Sequence, residues 1–259
     1  MTKLFQNSKC FFFAGKCSLD FGCVASLGGT YKVTQHDGSF TQITGRTGDL
    51  YNPRTRFENI EISYDCFIPG KRFFMDYEKL CEWLMSHDGY CELRDGAHPE
   101  YYRKAVFTGS IEPSVNKNGG SFTLSFTCDP RKFLVSGSQI TSLQKESDTV
   151  GSIYNPTLFK SNPLIYVKNA PKGSKINAGE AVITFNDEVT SDSEDCSKWL
   201  CIDSEMLNTY QQAVNKNSVV GVNTSADEPY PKLSPGKNSI IFTGGNIENI
   251  RIIPNFYRL

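Results

Sequence analysis

The sequence predicts a mainly β protein of two modules, a β-sheet carrying one α-helix followed by an all-β sandwich. Three observations carry this reading. Ser121–Cys128 and Ile60–Ile68 alternate apolar and polar residues with period two, and one segment alone, Asp76 to Gly89, repeats at helical spacing. Between Ser136 and Gly151 the alternation gives way to Ser, Thr, Gln and charge before short strands resume. Successive strand side chains point to opposite faces, so the first pattern is half-buried sheet, and the last is how an inter-domain crossing reads. A chain of 259 residues is long for one ordinary domain and comfortable for two, placed at 1–138 and 139–259.

Taken in order, Cys10 to Gly29 is a set of short apolar pieces, Phe11-Phe12-Phe13 and Leu19-Asp20-Phe21 among them, separated by small residues that let the backbone turn. His36-Asp37-Gly38-Ser39 is a turn signal between Tyr31–Thr34 and Phe40–Ile43, which predicts a hairpin. Gly45 to Phe57 is polar, basic and turn-rich, and reads as an exposed loop. A long strand follows, with Ile60, Ile62, Tyr64, Cys66 and Ile68 on one face. Asp76 can cap the helix, Tyr77, Leu80, Cys81 and Leu84 form its stripe with Trp83 packing beside it, and Gly89 can end it. Tyr90–Leu93, Tyr101–Phe107 and Ser110–Glu112 read as strands around the loop Asp95–Pro99. The strand opened by Gly119-Gly120, with Phe122, Leu124, Phe126 and Cys128 inward, closes the module at Asp129-Pro130.

The second module has no helix signal. Leu164–Val167, Ala181–Phe185 and Lys198–Asp203 are strands, the last with Leu200 and Ile202 on one face and Trp199 and Cys201 on the other. Ser204 to Val214 is taken as a hairpin. Pro235-Gly236 turns into an apolar strand through Thr243, and Asn246–Pro254 supplies another. Short strands with regular turn signals are the mark of a sandwich.

Composition narrows the chemistry. Lys plus Arg number 27 against 28 Asp plus Glu, so no overall field draws the chain to nucleic acid or an anionic membrane. No apolar run approaches the roughly 18 residues of a membrane span. The start Met1–Asn7 lacks the features of a secretory signal, so synthesis in a cytoplasm is expected. Asn223-Thr224-Ser225 matches a glycosylation acceptor, which has no meaning in a bacterial cytoplasm. The nine Cys include no Cys-x-x-Cys pair and only three His accompany them, so buried free thiols are expected, with no metal and no cofactor.

Arg46, Arg54 and Arg56 are the residue type that grips phosphate, but a solvated loop with surface ion pairs is the stronger reading, and Gly45-x-x-Gly48 lacks the Lys and Ser/Thr of a phosphate loop. Asp187, Glu188, Asp192, Glu194 and Asp195 do not follow the spacing of a calcium loop and read as a solvated turn. No nucleophile elbow or zinc-protease motif occurs, so the residues alone point to a non-enzymatic protein.

Three stretches together resemble the distal tail proteins of long-tailed phages that infect Gram-positive bacteria. They are Phe13–Gly22 with Gly45–Leu50 and Arg56–Ile60; Tyr102–Ala105 leading to Ser125–Pro130; and Asn155-Pro156-Thr157 with Asn162–Ile165 and Tyr230–Ile240. Asp129-Pro130-Arg131-Lys132-Phe133 departs from the family's usual Pro followed by an aromatic. The resemblance implies a tail-tube-like first domain, a galectin-like or carbohydrate-binding-module-like second domain, and a homo-hexameric ring at the virion tail tip with a channel through which DNA passes without specific binding. It also implies a tail tube protein on one ring face, a tail-associated or tail fibre protein on the other, and receptor-binding proteins anchored to the ring. On that footing Arg46, Asp49, Tyr51, Arg54 and Arg56 are candidate ring-interface residues, because the exposed Gly45–Phe57 loop would be costly to order without a neighbour. The alternative is a carbohydrate-binding second domain using Trp199, Tyr210 or Tyr230 as its platform, although Trp199 reads more strongly as packing.

Overall fold

The computed structural model of the protein describes residues 9–30, 32–70, 72–223 and 227–259. Met1–Asn7, Tyr31 of the expected hairpin, and Thr224 and Ser225 of the acceptor-like tripeptide lie outside the described residues. The chain divides into two compact units, Met1–Lys132 with Leu259, and Phe133–Arg258.

The first unit contains β1 (Phe11–Phe13), β2 (Lys16–Cys17), β3 (Val24–Ala25), β4 (His36–Thr41), β5 (Leu50–Phe57), β6 (Ile60–Pro69), α1 (Phe73–Met85), β7 (Cys91–Asp95), β8 (Tyr101–Phe107), β9 (Ser114–Asn116) and β10 (Gly119–Cys128). One antiparallel sheet runs β2-β1-β7-β8-β10-β6-β3, with β9 on the start of β10. Its spine is β10 against β6, paired without a slip from Gly119↔Pro69 to Cys128↔Ile60. Alternation fixes that register, because a slip of one residue would turn every buried side chain to solvent. Phe122, Leu124, Phe126 and Cys128 accordingly lie in the core beside Ile62, Tyr64 and Ile68. On the opposite face Ser63 and Ser125 share a hydroxyl hydrogen bond of 2.9 Å, and Thr123 donates to Asp65 at 3.0 Å.

Helix α1 covers the core face with Phe73, Leu80, Trp83 and Leu84 buried. Trp83 stacks on Phe21 with ring centroids 4.5 Å apart, which makes it packing, as its place beside the stripe suggests. The helix starts a turn earlier than expected. Phe73 lies over Gly120, where any Cβ would meet its ring at 2.2 Å, and burying that ring draws the first turn back past Asp76. Asp76 is therefore inside the first turn, where its charge faces the positive end of the helix, and is not the cap. The helix stops at Met85, with the Ser86 hydroxyl donating to the Trp83 carbonyl at 2.9 Å, so Gly89 (φ 108°) lies beyond its end. Ser110–Glu112 is not a strand; the third pairing of that region is made by Ser114–Asn116 instead.

The second unit, with β11 (Lys132–Leu134) at its entry, holds β12 (Thr141–Ser142), β13 (Gln144–Lys145), β14 (Val150–Asn155), β15 (Leu164–Val167), β16 (Lys175–Ala178), β17 (Ala181–Phe185), β18 (Leu200–Asp203), β19 (Asn208–Gln211), β20 (Val214–Asn215), β21 (Val220–Val222), β22 (Gly236–Thr243), β23 (Ile250–Ile253) and β24 (Tyr257–Arg258). Two six-stranded antiparallel sheets, β12-β23-β15-β18-β19-β20 and β13-β14-β22-β16-β17-β21, enclose a core that includes Ile165, Ile202, Ile252, Ile183, Phe185 and Phe242. Ser136 to Gly151 is no free linker, since it supplies β12 and β13 to the two sheets. The expected hairpin after β18 is present as β19 paired with β18 and then β20.

The short motifs of the third stretch fasten this unit. Asn155 is buried, donates to the carbonyls of Phe159 (2.9 Å) and Leu233 (3.0 Å), and accepts from the Thr157 backbone and hydroxyl (2.9 and 2.8 Å). Ser161 bridges Leu233 through the backbone and donates its hydroxyl to the Pro254 carbonyl at 2.7 Å. Asn255 completes the knot by donating to the Asn162 carbonyl at 2.9 Å.

Candidate assembly surface

Among the described residues of the first unit, the ribbon β4–β5 stands apart as a largely exposed pair of strands. It is not paired into the main sheet and forms a two-stranded sheet by itself. The sequence places a hairpin in this region but with the wrong strands. His36-Asp37-Gly38-Ser39 is not the turn; it is the first part of β4, and the expected Gly45–Phe57 loop is turn up to Asp49 and strand from Leu50. The reason is that neither face of the ribbon is buried, so no hydrophobic alternation against a core marks its strands, while Pro53 and the glycines mimic loop.

The register pairs Gly38↔Pro53, Ser39↔Asn52, Phe40↔Tyr51 and Thr41↔Leu50, with a bulge between His36 and Gly38. Residues opposite each other share a face. One face is therefore aromatic: Phe40 and Tyr51 have ring centroids 5.0 Å apart, and His36 and Phe57 are 4.5 Å apart. The Tyr51 ring lies over Gly38, where a Cβ would come within 2.5 Å of its hydroxyl. The other face is polar and basic. Asn52 donates to Thr41 at 2.9 Å, and Arg54 and Arg56 both reach Asp37, at 3.4 and 3.2 Å. Every residue from Ser39 to Arg54 is exposed, and Phe40 shows 70% of its surface.

The five sequence candidates are thus brought onto one arm but not onto one surface. Tyr51 lies on the aromatic face, Arg54 and Arg56 on the basic face, and Arg46 and Asp49 in the turn at the tip. Sequence reasoning missed Phe40, His36 and Phe57 as members of the set. The signal was present as the period-two spacing of Tyr51, Pro53 and Phe57, but the intervening arginines read as loop.

The sugar-platform candidates lie differently. Trp199 is 3% exposed; its indole N–H donates to the Ser193 carbonyl at 2.8 Å, and Lys168 and Arg251 flank its ring at 5.9 and 5.8 Å. Tyr230 is 8% exposed and part of the sandwich core. Neither presents an open ring face: Trp199 is packed, as its favoured sequence reading has it, and Tyr230 departs from the platform alternative because its ring is buried in the apolar core. Tyr210 is half-buried beside Cys201, and burial first, then that thiol, raises its phenol above the ordinary range. Cys201 lies on the face of β18 opposite Leu200 and Ile202; all of β18 is buried, and burial pushes its thiol up to about 11.

A cavity of about 210 Å³ opens in the first unit beside Tyr64, Asp95 and Arg103, with Lys32, Arg94 and His98 at its margin. Asp95 organises it, accepting from the Tyr64 hydroxyl at 3.0 Å and from the Ala97 and His98 backbone at 3.1 and 3.2 Å. Burial, then the Asp95 carboxylate, hold the Tyr64 phenol well above its usual value. Burial lowers the Arg103 guanidinium, which donates to the Pro130 carbonyl at 3.1 Å. At the end of β10, burial alone would raise the Asp129 carboxyl, but its paired hydrogen bonds from Arg131 (2.9 and 2.7 Å) and that charge bring it below the usual range. Among the described residues no group of three or more His, Cys, Asp or Glu is placed to hold a metal ion, and no helix is long and apolar enough to cross a membrane.

No protein-family model matches the chain, and no curated protein does. Among solved structures, its fold is that of an adsorption-hub protein of phages infecting Gram-positive bacteria. One structure it matches is the Dit (gp 19.1) protein of SPP1, described as a paradigm of the hub adsorption apparatus in such phages. The TM-score is 0.67 with 13% identity, over 94% of this chain and 96% of that chain. The likeness expected from the sequence is thereby met at the level of the fold.

Proposed function

We propose that this chain is a structural ring subunit of a phage tail tip, a homo-hexamer that joins the tail tube protein to the tail-associated or tail fibre protein, gives receptor-binding proteins an anchorage, and leaves a channel for DNA. The likeness to SPP1 Dit over nearly the whole of both chains supports a place in an adsorption hub. The observation that carries assembly with copies of itself is the β4–β5 arm. A two-stranded hairpin with both faces in water is marginal on its own, and this one also exposes an aromatic face. Contact with a neighbouring copy supplies the burial its own unit withholds. In a closed ring that contact is heterologous, the arm of each subunit meeting a different surface of the next.

Light scattering behind size exclusion, over a concentration series of the full-length protein, tests this reading. His36 and Phe57 face each other across the ribbon, so Asp37–Arg56 can be replaced by two glycines without stretching the chain. The wild type should reach the mass of six chains, and the arm-less protein should stay monomeric with an unchanged far-ultraviolet spectrum of the remaining sheets. The point variants Phe40→Ser and Tyr51→Ser should shift assembly to higher concentration in the same direction. Six-chain rings formed by the arm-less protein would overturn the assignment of the arm.

The carbohydrate-binding alternative draws no support from Trp199 and Tyr230, whose rings are covered. Tyr210 is the remaining candidate, and Tyr210→Ala tested against purified wall polysaccharide is its decisive variant.

A further inference from the structure

We infer that the surface receiving the arm is the outer ridge of α1 on the adjacent copy. This rests on the ring reading above and specifies its second half.

The ridge is built like an interface left open. Phe74, Glu78, Glu82 and Met85 fall within one arc of the helix, Met75 lies at its border, and all five are exposed. Phe74 keeps 66% of its surface in solvent, whereas Phe73, Leu80, Trp83 and Leu84 of the same helix are buried. Three carboxylates, Asp76, Glu78 and Glu82, stand against one Lys79 in α1. The arm is the complement in both respects. It offers Phe40 and Tyr51 as an apolar face, and Arg46, Arg54 and Arg56 against two aspartates. Two of those arginines share the single carboxylate of Asp37, which leaves one positive charge in surplus. A ribbon is one backbone thick, so with its aromatic face against Phe74 and Met85 the long arginine side chains reach round the β5 edge to Glu78 and Glu82. Opposite potentials of this kind fix register and exclude wrong partners more than they add affinity.

The other concave and acidic surfaces fit less well. The cavity beside Asp95 is lined by Lys32, Arg94, Arg103 and Lys132 against that one carboxylate, a surplus of the same sign as the arm. The acidic loop of the second unit has the right sign, but Glu194 and Asp187 are engaged by Lys168 and Lys172, and Asp195 accepts from the Ser197 backbone. No large apolar side chain is exposed between Asp187 and Lys198 among the described residues.

Two measurements on the full-length chain test the inference. Photo-reactive benzoylphenylalanine in place of Phe40, irradiated across the same concentration series, should cross-link into residues 73–85 of a second copy. The double variant Glu78→Arg with Glu82→Arg should raise the concentration of half-assembly at least tenfold, and adding Arg54→Glu with Arg56→Glu to it should recover most of the loss. Cross-links that map to another segment, or a charge-reversed ridge that assembles like the wild type, overturn the α1 assignment while leaving the ring and its arm standing. A wild type that stays monomeric and gives no cross-linked species at any concentration overturns the ring reading and this inference together.

Discussion

Asn155 shows what a single side chain can hold when its whole hydrogen-bonding capacity is spent inside the protein. Both amide hydrogens and the oxygen are engaged, joining β14 to the Phe159 turn and to Leu233 far along the chain. Asn155→Ala takes one of two donors from the Leu233 carbonyl, which keeps the Ser161 backbone N–H, and removes the acceptor of the buried Thr157 backbone N–H; a buried polar group that loses its partner costs about 1–3 kcal/mol. Asn155→Asp keeps the acceptor but aims a carboxylate at two carbonyl oxygens, so it should destabilise at least as much as Asn155→Ala despite its near-identical shape. Urea midpoints of the three proteins at pH 7 check the order, and an aspartate variant as stable as the wild type would contradict it. The sequence marks Asn155-Pro156-Thr157 as one short piece of a resemblance, yet nothing in its spacing announces the partner at Leu233, because closure over so long a separation leaves no local pattern. The same holds for Asp95, whose partners are Tyr64 on β6 and Gly29 in the segment after β3.

At the scale of elements, legibility follows burial. Strands β6 and β10 have one face in the core and one outside, so their residues alternate and their limits can be read directly. Strand β18 is buried on both faces, and its existence and the alternation of its residues are legible, although the burial of its second face is not. The arm is the opposite extreme: with no buried face, β4 and β5 carry polar, proline and glycine signals that belong to turns, and the reading of a loop follows. Helix α1 lies between, legible as a stripe but displaced at its start by the seat of Phe73 over Gly120. That seat is testable. Gly120→Ala places a methyl 2.2 Å from the Phe73 ring, so the ring must leave the core or the helix must lift from the sheet. Overpacking of this kind costs about 1–3 kcal/mol. Thermal unfolding should register the loss, and Phe73→Leu in the Gly120→Ala background should restore part of it, since the smaller side chain vacates the space.

For the whole molecule, the arm and the helix ridge give a subunit two unlike ends, and that asymmetry has a consequence that a symmetric dimer contact lacks. In a heterologous ring each copy gives one arm and accepts another. An arm-less subunit can still accept, but it cannot pass the ring on, so it behaves as a chain terminator and not as a bystander. Mixed in equal amounts with wild type before assembly, it leaves roughly one six-membered arrangement in sixty-four free of a missing junction, because all six positions must be filled by intact copies. The mass distribution should therefore collapse toward short arcs well before the arm-less protein is in excess, and the arcs should contain one arm-less copy each, at the same end. Were the contact isologous, arm would pair with arm and close a two-chain species, so the wild type would stop at dimers and arm-less chains would remain outside them. Native mass spectrometry of the mixture, with the deletion itself as the mass label, distinguishes the two: mixed arcs require an arm that reaches forward to a different surface, whereas wild-type dimers beside free arm-less monomer require that the arm be its own partner.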